Sequence, residues 1–210
     1  MNKFKRSITV VYPAGAGGEF FSWLLAQQQD FIPVGVALEK NRWSLRLNTT
    51  PDFFHRDTSM EEFFKYVGTH EHKITLLRDH MTFDFRDQGL VDSFFNTRYD
   101  MWDQGLFVLL YPQTEEAVQY ANLQVKQKLT TDNHDPDSLS TVNRDLKKII
   151  SIIGNRDHVI VDPYQFFIKD RDNNIANFEN QLQRRFGEHV LLDRNTYNYF
   201  IDVWISHNAS

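Results

Sequence analysis

The sequence predicts an α/β domain in three layers, with helices covering both faces of a mostly parallel central sheet. Residues 7–26 and 106–129 carry this prediction, since each contains an apolar strand, a short loop and a helical pattern in that order. Such units are typical of parallel sheets, where a helix returns the chain to the edge at which the next strand begins. The 210 residues suit one domain, and no shift in composition divides them. We expect a single domain over 1–210.

The first unit opens with Ser7–Tyr12, a segment rich in β-branched and apolar residues. A nearly continuous apolar run indicates a strand that is buried on both faces. A loop with Pro13 and three glycines follows, and residues 19–26 carry apolar side chains at helical spacing. We therefore expect a strand over 7–12 and a helix over 19–26.

The other elements are predicted from their periodicity and end signals. The predicted strands are 69–77, 106–111 and 158–161, and residues 130–140 form a polar loop. Glycines at 154 and 187 end two of the helices. The predicted helices are 114–129, 141–153, 174–186 and a last one that carries Tyr197, Phe200, Ile201 and Trp204.

Composition excludes several classes of function. The chain has no cysteine, which rules out a disulfide framework, thiolate metal ligands and a cysteine nucleophile. With 23 Lys and Arg against 28 Asp and Glu, the formal net charge is −5, which argues against nucleic acid as the main partner. A local loop can still bind a small anion at this net charge.

The sequence also predicts a cytoplasmic protein without a membrane partner. No segment reaches the roughly 18 to 20 apolar residues that span a bilayer. Residues 1–6 are basic, as at the start of a secretory signal, but the apolar run after them ends at Pro13. That run is shorter than the apolar region of a signal peptide.

The glycine loop after the first strand is the main candidate site. A strand that enters a helix through a glycine turn directs several backbone N–H groups at one point, which favours phosphate or sulfate. Gly15, Gly17 and Gly18 permit the positive φ angles of such a loop. The alternative is a tight turn in which these glycines serve backbone geometry alone. Glu19 after Gly18 excludes a Walker A loop, and the spacing excludes the dinucleotide pattern GxGxxG.

Four stretches of the chain resemble the sulfotransferases, in the order of that family. Val10–Phe20 is similar to the first strand, phosphosulfate-binding loop and helix, and Gly68–His70 to the Lys-Thr-His segment that carries the general base. Leu106–Gln119 is similar to the second strand–helix unit, and Val159–Phe167 to a later strand that ends in a Tyr-Glu-Asp-Leu-type segment. Short proteins of this type also occur in phages. The resemblance implies a fold of the P-loop and sulfotransferase type.

The family transfers a sulfuryl group from 3′-phosphoadenosine 5′-phosphosulfate (PAPS) to a hydroxyl acceptor. The resemblance therefore implies PAPS as an anionic donor, a small hydroxyl acceptor, no metal, and His70 as the catalytic base. The positions implied to bind the donor are Pro13, Ala14, Gly15, Ala16, Gly17, Gly18, Glu19, Tyr111 and Gln119.

The chain departs from the family pattern at charged positions. Ala14 stands where the family has a loop lysine, and Glu19 brings a negative charge where the family has a hydroxyl residue. Tyr111 takes the place of the arginine that holds the 3′-phosphate, and Gln119 that of a serine. These changes keep an alternative open, in which the protein is catalytically inactive and binds an anion, a nucleotide or a protein partner.

Other residues allow more than one interpretation. His70 and His72 share one face of the predicted strand and could bind zinc, although a third ligand is not evident. A general base at His70 and a pair of half-exposed histidines are the competing interpretations. Arg78, Arg86 and Arg98 could supply the positive charge that the loop lacks, or form surface ion pairs. The phenylalanine pairs at 20–21, 53–54, 63–64, 94–95 and 166–167 are expected in the core. The pairs outside a clear helix could instead line an apolar groove for an acceptor or a partner.

Overall fold

The computed structural model of the protein describes residues 6–13, 15–31, 73–80, 105–128 and 138–208. Its strands are β1 (Ser7–Tyr12), β2 (Thr75–His80), β3 (Leu106–Leu110) and β4 (His158–Val161). Its helices are α1 (Gly18–Ala26), α2 (Glu115–Lys128), α3 (Leu139–Ile153), α4 (Arg171–Phe186) and α5 (Arg194–Asn208), with a π-helical turn at Gln165–Lys169.

The four strands form one parallel sheet in the order β2-β1-β3-β4. The strand β1 lies in the interior of this sheet and pairs with β2 along its whole length, from Ser7 opposite Thr75 to Tyr12 opposite His80. Because the strands are parallel, the segments that follow them meet at the same edge, which we term the carboxyl edge. It comprises residues 13, 15–17, 111–114 and 162–164, together with His80 at the end of β2.

Helices cover both faces of the sheet, which confirms the predicted α/β class. Every residue of β1 and β3 is buried. One face of β1, with Ile8 and Val10, belongs to the main hydrophobic core together with α1, α4 and α5. Side chains on the other face, such as Val11, are buried as well. No helix in the described ranges is both long and apolar enough to cross a membrane.

Aromatic side chains form much of the main core. The rings of Phe20 and Trp204 stack with centroids 4.7 Å apart, and Phe21 meets Phe166 edge-on at 5.1 Å. Phe167 lies 5.2 Å from Trp204. The expected core positions of the pairs 20–21 and 166–167 are therefore confirmed. The other three pairs, at 53–54, 63–64 and 94–95, lie outside the described residues.

The strand predicted over 69–77 is shifted in the structure. The described part of this region begins at Lys73, and the strand runs from Thr75 to His80, so the predicted end at 77 is wrong. Local alternation weakens after Leu77, where Arg78 and Asp79 follow. Pairing with the whole of β1 keeps these polar residues in the strand. This pairing joins residues that are distant in the sequence, so the local pattern does not indicate it.

Three helices begin earlier than predicted, and α1 is one of them, since it begins at Gly18 rather than 19. The helix α3 begins at Leu139 rather than 141, because the Ser138 hydroxyl accepts a hydrogen bond from the Thr141 amide at 3.2 Å and caps the helix. The helix α4 begins at Arg171 rather than 174. The helices α3 and α4 end as predicted, since Gly154 and Gly187 follow their last residues with positive φ angles.

Asp162, directly after β4, connects two strand ends at the carboxyl edge. Its carboxylate accepts hydrogen bonds from the amides of Tyr164 at 2.9 Å and Gln165 at 3.1 Å, which caps the segment after Pro163. The other carboxylate oxygen accepts from the amide of Gln113 at 2.8 Å, directly beyond β3. One buried side chain thus satisfies three backbone donors from two segments.

We expect Asp162→Ala to lower the free energy of unfolding by about 2 to 3 kcal/mol, because three amide donors lose their acceptor in a largely buried place. Urea denaturation measures the change. Asp202→Ala is the control, since Asp202 forms an exposed ion pair with Arg171 and its loss costs about 0.5 kcal/mol. Equal losses for the two variants would contradict the role given to Asp162.

Candidate functional site

The glycine loop leaves the carboxyl end of β1 in a tight turn. The Ala16 amide donates a hydrogen bond to the Pro13 carbonyl at 3.3 Å. Gly15 and Gly17 have φ angles of 76° and 72°, in the left-handed region that other residues avoid. The need for glycine at these two positions is thereby explained by backbone geometry.

Gly18 serves a different purpose from the one expected. Unlike Gly15 and Gly17, it does not have a positive φ angle, and it is the first residue of α1. A Cβ atom at Gly18 would overlap the aromatic ring of Tyr12. A side chain is excluded here by the close approach of this ring, and φ plays no part.

The other two glycines also lie against neighbouring elements. A Cβ atom at Gly15 would overlap the carbonyl oxygen of Ala121 on α2 and would crowd Val125. A Cβ atom at Gly17 would stand 3.2 Å from the ring of Phe167 and 3.5 Å from that of Trp204. The loop is therefore packed between α2 on one side and the aromatic core on the other.

The start of α1 offers backbone donors at this loop. Gly17 is the N-cap residue and has no side chain that could accept a hydrogen bond from the first turn of the helix. The amino end of a helix carries a partial positive charge, so unsatisfied N–H groups there attract anions. Ala14 and the side chain of Glu19 lie outside the described part of the chain, and their implied roles stay predictions.

The structure places Tyr111 at the carboxyl edge and Gln119 on the face of α2 that is turned away from the loop. Tyr111 follows β3 with its side chain fully buried, and its amide donates to the Val161 carbonyl at 3.0 Å. Gln119 is exposed on α2, on the side of the helix opposite to Ala121, which approaches Gly15. The roles given to both residues in phosphate binding stay predictions.

The candidate base His70 lies outside the described residues, as does His72. The strand β2 instead places His80 at the carboxyl edge, where its backbone pairs with Tyr12 immediately before the glycine loop. Sequence analysis ended this strand at 77 and therefore did not bring His80 to the site. The end of the strand at His80 is set by pairing with β1, which the local sequence pattern does not report.

Charged and phenolic side chains meet beside the π-helical turn at the carboxyl edge. The Lys169 ammonium donates to the Glu116 carboxylate at 2.8 Å, and this contact raises the pKa of Lys169 above its usual range. The rings of Tyr120 and Tyr164 lie 5.7 Å apart. Burial raises the pKa of Tyr120, so its hydroxyl stays protonated and can donate a hydrogen bond at neutral pH.

Within the described ranges, no three histidine, aspartate or glutamate side chains are grouped as metal ligands. The expectation of a site without metal concerns the whole chain, including His70 and His72, and stays a prediction.

Comparison with known proteins yields a similarity in structure alone. No protein-family model matches the chain, and no curated protein matches its sequence. Among solved structures, the chain is similar to a sulfotransferase domain from the olefin synthase of Synechococcus PCC 7002. The alignment covers 98% of this chain and 89% of that domain, with 14% identity and a TM-score of 0.49. This level of similarity assigns no activity to the chain.

The close approach of Tyr12 predicts that Gly18→Ala lowers the free energy of unfolding by about 3 kcal/mol, at the upper end of overpacking costs. Gly154→Ala is the matched control, because Gly154 has a φ of 64° but open space around its Cβ position. It should cost about 1 kcal/mol from backbone strain alone. Thermal or urea unfolding compares the two. A smaller effect at Gly18 than at Gly154 would refute the packing explanation.

Proposed function

We propose that the protein is a sulfotransferase-like group transferase that moves a sulfuryl group from PAPS to a hydroxyl acceptor. The observation that carries the proposal is the glycine loop at the end of the interior strand β1, with left-handed Gly15 and Gly17 leading into the uncapped start of α1. Ligands of open parallel sheets bind at this edge, where the connections leave to opposite sides of a strand. Here β2 and β3 flank β1 on its two sides.

The loop would stabilise the group in transfer through its backbone. The N–H groups at the start of α1 would donate hydrogen bonds to the oxygens of the 5′-phosphosulfate, where negative charge shifts during transfer. A fixed donor and acceptor geometry would lower the barrier further, because the reacting atoms need to lie in line. The acceptor oxygen would attack sulfur as the bond from sulfur to the bridging phosphate oxygen breaks, leaving adenosine 3′,5′-bisphosphate.

The donor also needs cationic neutralisation, which Ala14 does not provide. Lys169 and Arg171 are paired with Glu116 and Asp202. Arg78 stands in β2 at the register position of Val10, two residues before the carboxyl edge. We propose that Arg78 supplies the positive charge that a lysine provides in the loop of the sulfotransferase family.

Two histidines are proposed for the base that deprotonates the acceptor hydroxyl. His70 is the residue that the resemblance implies. His80 is the second candidate, because the register of β2 places its backbone next to the loop. A histidine suits this step because its ordinary pKa lies close to neutral pH.

A catalytically inactive protein that binds an anion or a protein partner is the second candidate function. The burial of Tyr111 and the exposure of Gln119 on the far side of α2 favour it. A protein of this kind would bind adenosine 3′,5′-bisphosphate or sulfate but would not transfer a sulfuryl group from PAPS.

We expect adenosine 3′,5′-bisphosphate to raise the Tm of the wild-type protein, and inorganic sulfate to do so at higher concentration. A ligand at a hundredfold excess over Kd stabilises by about 2.7 kcal/mol. Gly17→Ala should remove this shift, because the substitution strains the loop. Gly154→Ala is the control, with similar backbone strain outside the loop. Scanning calorimetry with each ligand, and with ADP for comparison, measures the shifts.

If neither bisphosphate nor sulfate shifts the Tm of the wild-type protein, the proposal that the loop binds an anionic ligand is wrong. An equal loss of the Tm shift in Gly17→Ala and Gly154→Ala would mean that both substitutions act through overall stability. That result would contradict the proposal that the loop is the binding site.

Transfer is tested with PAPS and two acceptors, a phenol and an aliphatic alcohol, by following the release of adenosine 3′,5′-bisphosphate. Substitution of the base by glutamine should lower kcat by about 10²-fold or more, with Tm unchanged. We expect this loss in either His70→Gln or His80→Gln. The other variant then serves as the control. Transfer that is unchanged in both variants would exclude a histidine base at either position.

A further inference from the structure

The buried face of α2 carries one polar side chain among apolar ones. In the described part of this helix, the buried residues are Ala117, Val118, Ala121, Gln124 and Val125. Gln124 is 5% exposed, and its Oε1 atom is fully buried without a hydrogen-bond donor among the described residues. Buried amide oxygens in native proteins nearly always have a donor, since leaving one unpaired is unfavourable.

Gln124 lies on α2 beside the residues that contact the glycine loop. Ala121 and Val125 stand one turn before it and one residue after it, and both approach Gly15 closely enough to exclude a Cβ atom there. Residues three apart lie on the same side of a helix. Gln124 therefore stands next to the positions of α2 that contact the loop, whereas Gln119 lies on the opposite side.

Gln28, another buried glutamine, shows a different arrangement. Its Oε1 accepts a hydrogen bond from the Asp193 amide at 2.9 Å, which joins the end of α1 to the segment before α5. Its acceptor is thus used within the protein, whereas that of Gln124 has no such use in the described residues. Gln28, whose acceptor is used within the protein, can therefore serve as a control for Gln124, whose acceptor is unpaired in the described residues.

We propose that Gln124 determines ligand specificity at the glycine loop. Its Oε1 accepts a hydrogen bond from a hydroxyl or amino group of the nucleoside part of the donor. The inference rests on the proposed function and deepens it. The loop N–H groups bind the anionic part, which has only acceptors, and Gln124 recognises a part of the ligand that carries a donor.

The test compares two probes on Gln124→Met, a variant of similar length that lacks the acceptor. We expect the Kd for adenosine 3′,5′-bisphosphate to weaken about tenfold, equivalent to about 1.4 kcal/mol. The Kd for inorganic sulfate should stay unchanged, because the sulfate ion carries no hydrogen-bond donor. The Tm without ligand should be equal or higher, since an unpaired buried acceptor is removed. Calorimetric titration gives both constants.

Gln28→Met is the matched control and should lower the Tm while leaving both constants unchanged. An unchanged bisphosphate Kd in Gln124→Met overturns the inference and leaves the proposed function intact. An equal weakening for bisphosphate and sulfate also overturns it, because Gln124 would then only support the loop. A wild-type protein that binds neither probe refutes the proposed function itself. Gln124→Leu replaces the methionine variant if that one does not fold.

Discussion

Close backbone packing at the carboxyl end of β1 is the constraint on which the site depends. Gly15 lies against the backbone of α2, Gly17 against the rings of Phe167 and Trp204, and Gly18 beneath the ring of Tyr12. A methyl group at any of the three would meet a neighbouring element. These contacts fix α1, α2 and α5 relative to the interior strand, so the direction of the first turn of α1 follows from glycine packing.

This packing and anion binding use different atoms of the same loop. Packing excludes side chains at the Cβ positions, whereas an anion would use the N–H groups at the start of α1. Packing therefore requires these glycines whether or not the loop binds an anion. Charge decides between the active and the inactive function. The chain has Ala14 where a lysine would neutralise the donor, and its formal net charge is −5. Transfer would therefore need a cation near the loop, whereas weak binding of an anion would depend less on such a cation.

The sequence predicted most of the elements because their signals are local. The apolar run Ser7–Tyr12 and the amphipathic pattern that ends at Gly154 each contain what is needed to specify a strand or a helix. The features that were missed depend on distant residues. The full length of β2 requires pairing with β1. The role of Asp162 requires a donor at Gln113, 49 residues earlier in the chain. The purpose of Gly18 requires the Tyr12 ring.

Burial at the end of β3 bears on the phosphate-binding role that the resemblance implies for Tyr111. Tyr111 follows β3, which lies between β1 and β4, and its side chain is 1% exposed. A guanidinium at that depth would need a paired charge to offset its desolvation, whereas a large aromatic side chain is stable there. In the proposed function, recognition of the ligand beside the loop would then come from a neighbouring surface. Gln124 stands on α2 beside the residues that approach Gly15, while Gln119 lies on the exposed face of the helix.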